Sequence, residues 1–473
     1  MPSKSKEKRQ RTGALQDASR VSTSRSAWRS FWTGLPFVPC APHLTHLTYL
    51  TYLTLSAATA LSQTAAPLTL QEARETALHN HPKITQADLR ALASRQAAKQ
   101  VQAGFFPNVS LNAVAVGTAD LNTRLGAVAS LSNPSIFERN AEGLLISQLI
   151  TDFGHTSQLT SSAKLRARAQ TDNAQAAREQ LLLAVDGAFF GAEQAQAVTR
   201  VAQKTVSTRQ TFLDQVTALA SNQLRSELDV SFARVNVEEA RLLLSKAQND
   251  LQASFAQLAN LMGLSTPPTN YNLAEVSLRP QSTNDAGEFI GLALRTRPEV
   301  LSLRHERDAA IQYARAQHSA RYPSISALAA GGLIPIRQEP QLPDKYAAAG
   351  VSMTMPLFAG GYYTARQREA ELQADAASET LRELELNVVR DVRVAWLNAQ
   401  NAFDRLRITS QLLENARQSF NLAQIRYKNG LSSIVEFNQA ELNLVSAEIN
   451  QANTQYEYQI QRSILDFQSG ALR

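Results

Sequence analysis

The sequence predicts an α+β membrane protein built from two tandem repeats. Four strands per chain would form part of a β-barrel completed by further copies of the chain, twelve strands if three join, and a long α-helical coiled-coil barrel would continue it. Three observations point there. The chain repeats itself, each copy carries a heptad tract longer than any globular core requires, and each copy holds two short strand-like stretches with one apolar face.

The repeat is read from constant offsets. ALHNHPKI at 77–84 returns as ALRTRPEV at 293–300, and Phe106-Pro107 returns as Tyr322-Pro323, both 216 residues on. Beyond these the offset is 207: Leu149-Ile150 falls on Pro356-Leu357, Asn222 and Leu224 on Asn429 and Leu431, Asp229 on Glu436, and Gly263 on Gly470. This gives an export segment at 1–60, a first repeat at 61–263, a linker at 264–286 rich in Pro, Asn and Thr, and a second repeat at 287–473.

Residues 1–60 carry eight Lys/Arg against Glu7 and Asp17, which accounts for the whole chain's net charge of +6. The rest is near neutral and offers no basic body for nucleic acid. Residues 30–71 are free of charge, and LTYLTYLTLSAATA (47–60) ends in an A-x-A-like cleavage site. A permanent membrane helix is the other reading of this stretch. Cleavage after Ala60 would remove Cys40, the one cysteine, and leave no thiol for a disulfide or a ligand.

Each repeat begins with a helical stretch (68–104; 284–321) that ends at an aromatic-Pro pair, with the Pro of ALxxxP marking a bend within it. The long helix is clearest at 361–428. Leu381, Val388, Ala395, Ala402, Ala416 and Ala423 keep one seam, and Val392, Ala399, Leu406, Leu413, Phe420 and Tyr427 keep its partner; only Glu385 and Thr409 interrupt. Such a seam demands a packed, supercoiled neighbour, and the helix would be roughly 100 Å long. A return helix at about 431–470 spans roughly 60 Å, so a first and a return helix stacked end to end would match one long helix.

Between these helices, PNVSLNAVAVG (107–117), GLLISQLITDF (143–153), YPSISALAAGG (322–332) and GVSMTMPLF (350–358) read as strands. In the last, Val351, Met353, Met355 and Leu357 share one face. Phe105, Phe106, Phe153, Tyr322, Phe358, Tyr362 and Tyr363 gather where strands meet helices, as an aromatic girdle at a membrane interface would. Hydrophobic caps on coiled-coil ends are the plainer alternative. Four strands cannot close a barrel around a lumen, and unpaired edges are costly in lipid. If three chains join, twelve strands and a ring of helices make one tube, with the loops at 118–142 and 334–345 facing the exterior.

With LTLQEARETALHNHP opening the first repeat, SQLITDFG and MPLFAGG leading into the long helices, and RYKNGLSSIVEFNQAELNLVSAE near the end, residues 66–473 resemble the TolC family of outer-membrane efflux proteins. The resemblance implies a homotrimeric duct in the Gram-negative outer membrane, set in its lipid and extending into the periplasm. It would serve a tripartite efflux or type I secretion system with a periplasmic adaptor and an inner-membrane pump. It also implies a pore constriction at the periplasmic tip. Carried over by position, Asp229, Glu436 and Gln439 occupy it, although Gln439 stands where the best-known members have Asp. Ser432 replaces an Arg that ties the tip in some members, and Gln223 stands where the second turn has Gly430. The turns Asn222-Gln223-Leu224 and Asn429-Gly430-Leu431 are the expected adaptor contacts.

The plain chemistry of these acids also suits solvated carboxylates at helix starts, favoured by the dipole. Seven histidines form no ligand set; His79 and His81 precede Pro82 and read as surface residues. No phosphate loop, nucleophile triad or carboxylate pair appears, so no cofactor and no enzymatic activity are expected. The competing reading is a periplasmic coiled-coil scaffold or adaptor without a pore.

Overall fold

The computed structural model describes residues 67–116, 139–265, 271–280, 285–337 and 343–472. The expected export segment, most of the 118–142 loop, and parts of the 334–345 loop and of the linker lie outside the described residues. The first half runs α1 (Leu70–Asn80), α2 (Pro82–Gln102), a 3-10 turn (Ala103–Phe105), β1 (Asn108–Val116), β2 (Arg139–Thr151), α3 (His155–Ser221) and α4 (Glu227–Leu261). The second runs α5 (Ala286–Thr296), α6 (Pro298–Ser319), β3 (Ser324–Arg337), β4 (Lys345–Thr354), α7 (Tyr362–Lys428) and α8 (Ile434–Gln468). The halves match in measure: α3 and α7 each hold 67 residues, and α4 and α8 each hold 35.

The repeated Ala-Leu-x-x-x-Pro is a helix break. Proline excludes the α conformation from the residue before it, and His81 (ψ 123°) and Arg297 (ψ 125°) are extended accordingly. The Pro then opens the next helix, where its missing N–H costs nothing. His81 caps that helix, its Nδ1 accepting from Lys83 N at 3.1 Å. Each short helix ends against a glycine that closes its own repeat. A Cβ at Gly263 would stand 2.9 Å from Asn80 backbone, and one at Gly470 would stand 2.5 Å from Thr296 Oγ1.

The long helices bury their heptad seams. Leu381, Val388, Ala395, Ala402, Ala416 and Ala423 are all buried, as are Val392, Ala399, Leu406 and Tyr427. The two interruptions are used for polar contacts: Glu385 pairs with Arg304 of α6 at 3.0 Å, and Thr409 bonds Thr454 of α8 at 2.8 Å. Half-way along the rod, Val185, Phe189 and Phe190 of α3 meet Leu258 of α4, Met262 just past its end, and Ala73 and Ala77 of α1. Arg74 clamps α1 there with two bonds, 2.6 and 2.5 Å, to the fully buried Asp186.

The linker crosses this region as a strap. Leu68 bonds Asn272 and Ala274 on both sides of Leu273, while Gln459 donates to Ser277 O (3.0 Å) and Tyr458 to Pro280 O (3.1 Å). Arg279 pairs with Asp466 of α8 at 2.5 Å. On the α3 side, Glu193 accepts from Val276 N at 3.3 Å, and its other oxygen is buried without a hydrogen-bond partner among the described residues. Burial lifts this carboxyl to about 7, the like charge of Glu275 adding to the rise and Arg200 opposing it.

The strands form one antiparallel sheet in the order β1-β2-β3-β4. Its register sorts the side chains by face. Val109 and Leu111 stand beside Ile146 and Leu144, which continue through Ala329 and Gly331 to Ala349 and Ala347, an apolar row. Asn108 and Ser110 lie beside Ser147 and Leu145 on the other face, where Ser324 and Ser326 pair with Thr354 and Ser352. An apolar outside and a wet inside follow from this alternation. Two expectations need correction. The last strand is Lys345–Thr354, not 350–358, because Pro356 has no N–H for a ladder and Met355 and Leu357 leave the sheet. The loop expected at 334–345 is shorter, since β3 continues to Arg337.

Candidate functional site at the helix turns

The two turns that end α3 and α7 have one geometry. In the first, Gln223 N donates to Ala220 O and Leu224 N to Leu219 O, both at 2.9 Å. In the second, Gly430 N donates to Tyr427 O (3.0 Å) and Leu431 N to Arg426 O (2.8 Å). These are Schellman caps, which need one left-handed residue. Gly430 supplies it at φ 74°, but in the first turn Gln223 is forced to φ 58°. Left-handed backbone costs a side-chain-bearing residue roughly 1–2 kcal/mol, so Gln223→Gly is expected to raise stability by about 1 kcal/mol. Thermal melts check this, with Gly430→Ala expected to shift the melting temperature the other way.

Asn222 closes α3 with its own side chain, Nδ2 donating to Ala218 O at 2.8 Å. Asn429 plays the same positional role, its N–H reaching Ile425 O at 3.1 Å. Schellman caps usually pack the apolar residue after the turn back on the helix. Here Leu224 and Leu431 are each 68% exposed, with Leu228 and Val435 exposed beside them.

The return helices start at Ser226 and Ser433, whose hydroxyls accept from Leu228 N (3.1 Å) and Glu436 N (3.3 Å). That places Asp229 and Glu436 in the first turns of α4 and α8. Asp229 is half-buried. Glu436 is exposed and within 3.5 Å of Arg426 Nε. Gln439, one turn on, is exposed and bonds Asn443 (3.1 Å). A single protomer therefore holds Asp229 and Glu436 in equivalent places on its two hairpins, and Gln439 has no charged partner among the described residues.

Arg225 is the residue that sequence reasoning missed. It leaves the first turn, donates to Tyr427 O at 2.9 Å, and holds its guanidinium 4.3 Å from the Tyr427 ring centroid. Tyr427 is packed with Phe212 (5.6 Å) and Phe437 (5.5 Å), and Phe212 stacks on Phe437 at 4.5 Å. Burial and the charge of Asp229 raise the Tyr427 phenol, against Arg225. The tip is thus tied across the two hairpins by one arginine and an aromatic cluster. Farther up, Arg209 of α3 reaches Asn236 O (2.7 Å), Glu239 (3.6 Å) and the buried Glu441 of α8 (3.5 Å).

At the opposite ends of α3 and α7, the strand-helix junctions carry the aromatics. Phe105, Phe106, Phe153, Tyr322, Phe358 and Tyr362 are exposed, and Tyr363 is half-buried. Phe153 and Tyr322, one from each half, approach to 5.9 Å between centroids.

A family model described as outer membrane efflux protein matches residues 73–264 and 289–471, both halves of the chain. The chain belongs to the outer membrane efflux protein family. It is 24% identical over 387 residues to the toluene efflux pump outer membrane protein TtgC of Pseudomonas putida, covering 80% of this chain and 78% of that protein. It is 25% identical to the alkaline protease secretion protein AprF of Pseudomonas aeruginosa over 62% of each. The fold is that of the outer-membrane channel OprN (TM-score 0.73, 21% identity, 85% of this chain and 90% of that one) and of VceC from Vibrio cholerae (TM-score 0.71, 20% identity, 85% and 96%). Members of the family are channels. This efflux protein is accordingly an outer-membrane exit duct of a tripartite efflux or type I secretion system, a trimer whose three sheets make the twelve-stranded barrel and whose helices extend into the periplasm.

Proposed function

We propose that this duct is closed at its periplasmic tip by the Asp229 and Glu436 carboxylates, and that Arg225 holds the tip in that state. The observation that carries the reading is the Arg225–Tyr427 contact, which joins the turn of one hairpin to the end of the other. An arginine at position 432 would serve a similar purpose from the second turn, and the chain has Ser432 there. Threefold symmetry brings three Asp229 and three Glu436 around one axis. Like charges so gathered repel each other and attract cations, giving a narrow cation-favouring passage. Glu436 is partly neutralised by Arg426, so Asp229 carries the larger share.

Leu224 and Leu431, bared at the turns with Leu228 and Val435, form an apolar rim for the adaptor, with Asn222, Gln223, Asn429 and Gly430 setting its shape. The aromatics at the strand ends sit at the lipid interface, and the boundaries 61–263 and 287–473 delimit two repeats that each build half of one protomer's wall. The pump and the adaptor supply the energy, and the duct supplies a path.

The test is single-channel conductance in planar bilayers. Wild-type trimers are expected to conduct poorly, and an Asp229→Ala/Glu436→Ala variant several-fold better with weaker cation preference. Ready and equal conductance in both would remove these acids from the constriction while leaving the duct intact.

A further inference from the structure

The helices of one protomer lie side by side in the order α2, α3, α6, α7, and the sheet runs β1 to β4 alongside. That leaves α2 and α7 as free edges. Each has a bare face opposite its buried seam: Leu89 and Leu92 on α2 are 60% and 50% exposed, and Leu372 and Leu386 on α7 are 52% and 66% exposed. The two edges differ in charge. Residues 82–102 hold four basic side chains (Lys83, Arg90, Arg95, Lys99) against Asp88, whereas 362–385 hold six acidic side chains against three arginines.

The internal duplication supplies a template for how such edges meet. The junction between the halves is α3 against α6, and the same offsets that relate the repeats relate α6 to α2 and α3 to α7. Across the inner junction, Ser302 Oγ donates to Ala169 O (3.1 Å), Ser162 Oγ to Ala309 O (2.8 Å), His305 meets Asp172 at 2.7 Å, and Gln180 donates to Glu299 at 3.3 Å. Moving α6 back 216 residues and α3 forward 207 turns these contacts into Gln86 facing Ala376, Ala93 facing Glu369, Leu89 facing Glu379, and Lys83 facing Asn387.

In that register the charges fall opposite one another. Glu379 lies against Leu89 and so beside Arg90. Glu369, against Ala93, falls between Arg90 and Lys99. Lys83, against Asn387, stands one helical turn from Glu383. Lys83, Arg90, Lys99 and Glu383 are exposed, and their side chains make no hydrogen bond or ion pair within the described residues. Of the three arginines on upper α7, Arg366 donates to Tyr362 Oη (2.9 Å) and Arg368 to Glu371 (3.0 Å), while Arg382 lies 3.7 Å from the exposed Glu379, a loose pair that leaves this carboxylate open to a second cation. Asp88 is taken by Arg178 at 2.6 Å.

We propose that the junction between protomers is charge-coded: Lys83, Arg90 and Lys99 on α2 of one copy dock on Glu369, Glu379 and Glu383 on α7 of the next. The inner junction, which never has to find its partner, uses serines, a glutamine-to-glutamate bond and one histidine–aspartate pair instead. The outer junction must choose its partner and its register from solution, and opposed charges do both, steering encounter and penalising a slipped or reversed pairing. The inference rests on the trimer of the family and goes beyond it by naming the residues that select the register.

The test reverses each edge in turn. Lys83→Glu/Arg90→Glu/Lys99→Glu and Glu369→Lys/Glu379→Lys/Glu383→Lys are each expected to cut trimer yield at least ten-fold at low salt. The six changes combined in one chain should restore it. Either triple variant assembling like wild type, or no recovery in the sixfold variant with native helix content, overturns the proposal. A cysteine pair tests the register without charge changes: Gln86→Cys with Ala376→Cys should oxidise to covalent oligomers, and Gln86→Cys with Ala365→Cys, about 16 Å off register, should not. The reverse pattern also overturns it. Wild type failing to form trimers would instead count against the duct itself.

Discussion

Arg209→Ala is expected to destabilise the protein by about 3–5 kcal/mol. Arg209 and Glu441 are nearly inaccessible, and the arginine also donates to Asn236 O. It therefore ties α3 to both α4 and α8. Burial raises the Glu441 carboxyl, and Arg209 is the charge that offsets it. Alanine would leave that acid buried and uncompensated, and the second hydrogen bond to the Asn236 carbonyl would also be lost. The loss reads out as a lower urea midpoint by far-UV circular dichroism. Arg209→Met combined with Glu441→Leu should recover most of it, since a well-packed apolar pair replaces buried charges at little cost. A single-variant loss below about 1 kcal/mol would mean that water serves the acid as well as the arginine does.

Stability should also fall as pH rises toward neutrality, through Glu193. Its carboxyl is raised from the ordinary 4.5 to about 7 by burial, with Glu275 adding to the rise and Arg200 and the Val276 N–H opposing it. Below pH 4.5 the group is protonated in both folded and unfolded chains and burial carries no ionic penalty. Between about 4.5 and 7 the unfolded chain ionises while the folded one stays neutral, so stability declines across that window and levels off above it. Glu193→Gln keeps an acceptor for Val276 and has no charge to bury. The variant should melt higher than wild type at pH 8 and show a flatter melting temperature between pH 5 and 8. Parallel curves for the two proteins would place the Glu193 titration outside this window.

The large parts of the fold were legible because they are periodic. Heptads from Leu381 to Tyr427 cannot be satisfied by anything but a long packed helix, and the repeated Pro82 and Pro298 can do little inside a helix but break it. The strand ends were less legible. Alternation in GVSMTMPLF runs on through Met355 and Leu357, and only the missing N–H of Pro356 says where the ladder stops. The tip residues Asp229 and Glu436 were visible as an aligned pair, but Arg225 was not. Its role depends on Tyr427, 202 residues away, and no spacing in the sequence records that distance. The same holds for Arg209 with Glu441 and for Glu193 with Val276. Their one sequence signal is a charged residue on an otherwise apolar helix face, which many solvated residues share.

The strap formed by residues 271–280 has a mechanical consequence. It binds α3 and α8 together near Glu193, about 42 Å of helix above the Ser221 turn. Below it the hairpins are levers with their fulcrum at the strap. Over that arm, a tilt of about 5° would carry each turn sideways by roughly 4 Å. Three levers swinging outward together would widen the mouth like the leaves of an iris, while the barrel above the fulcrum stays still.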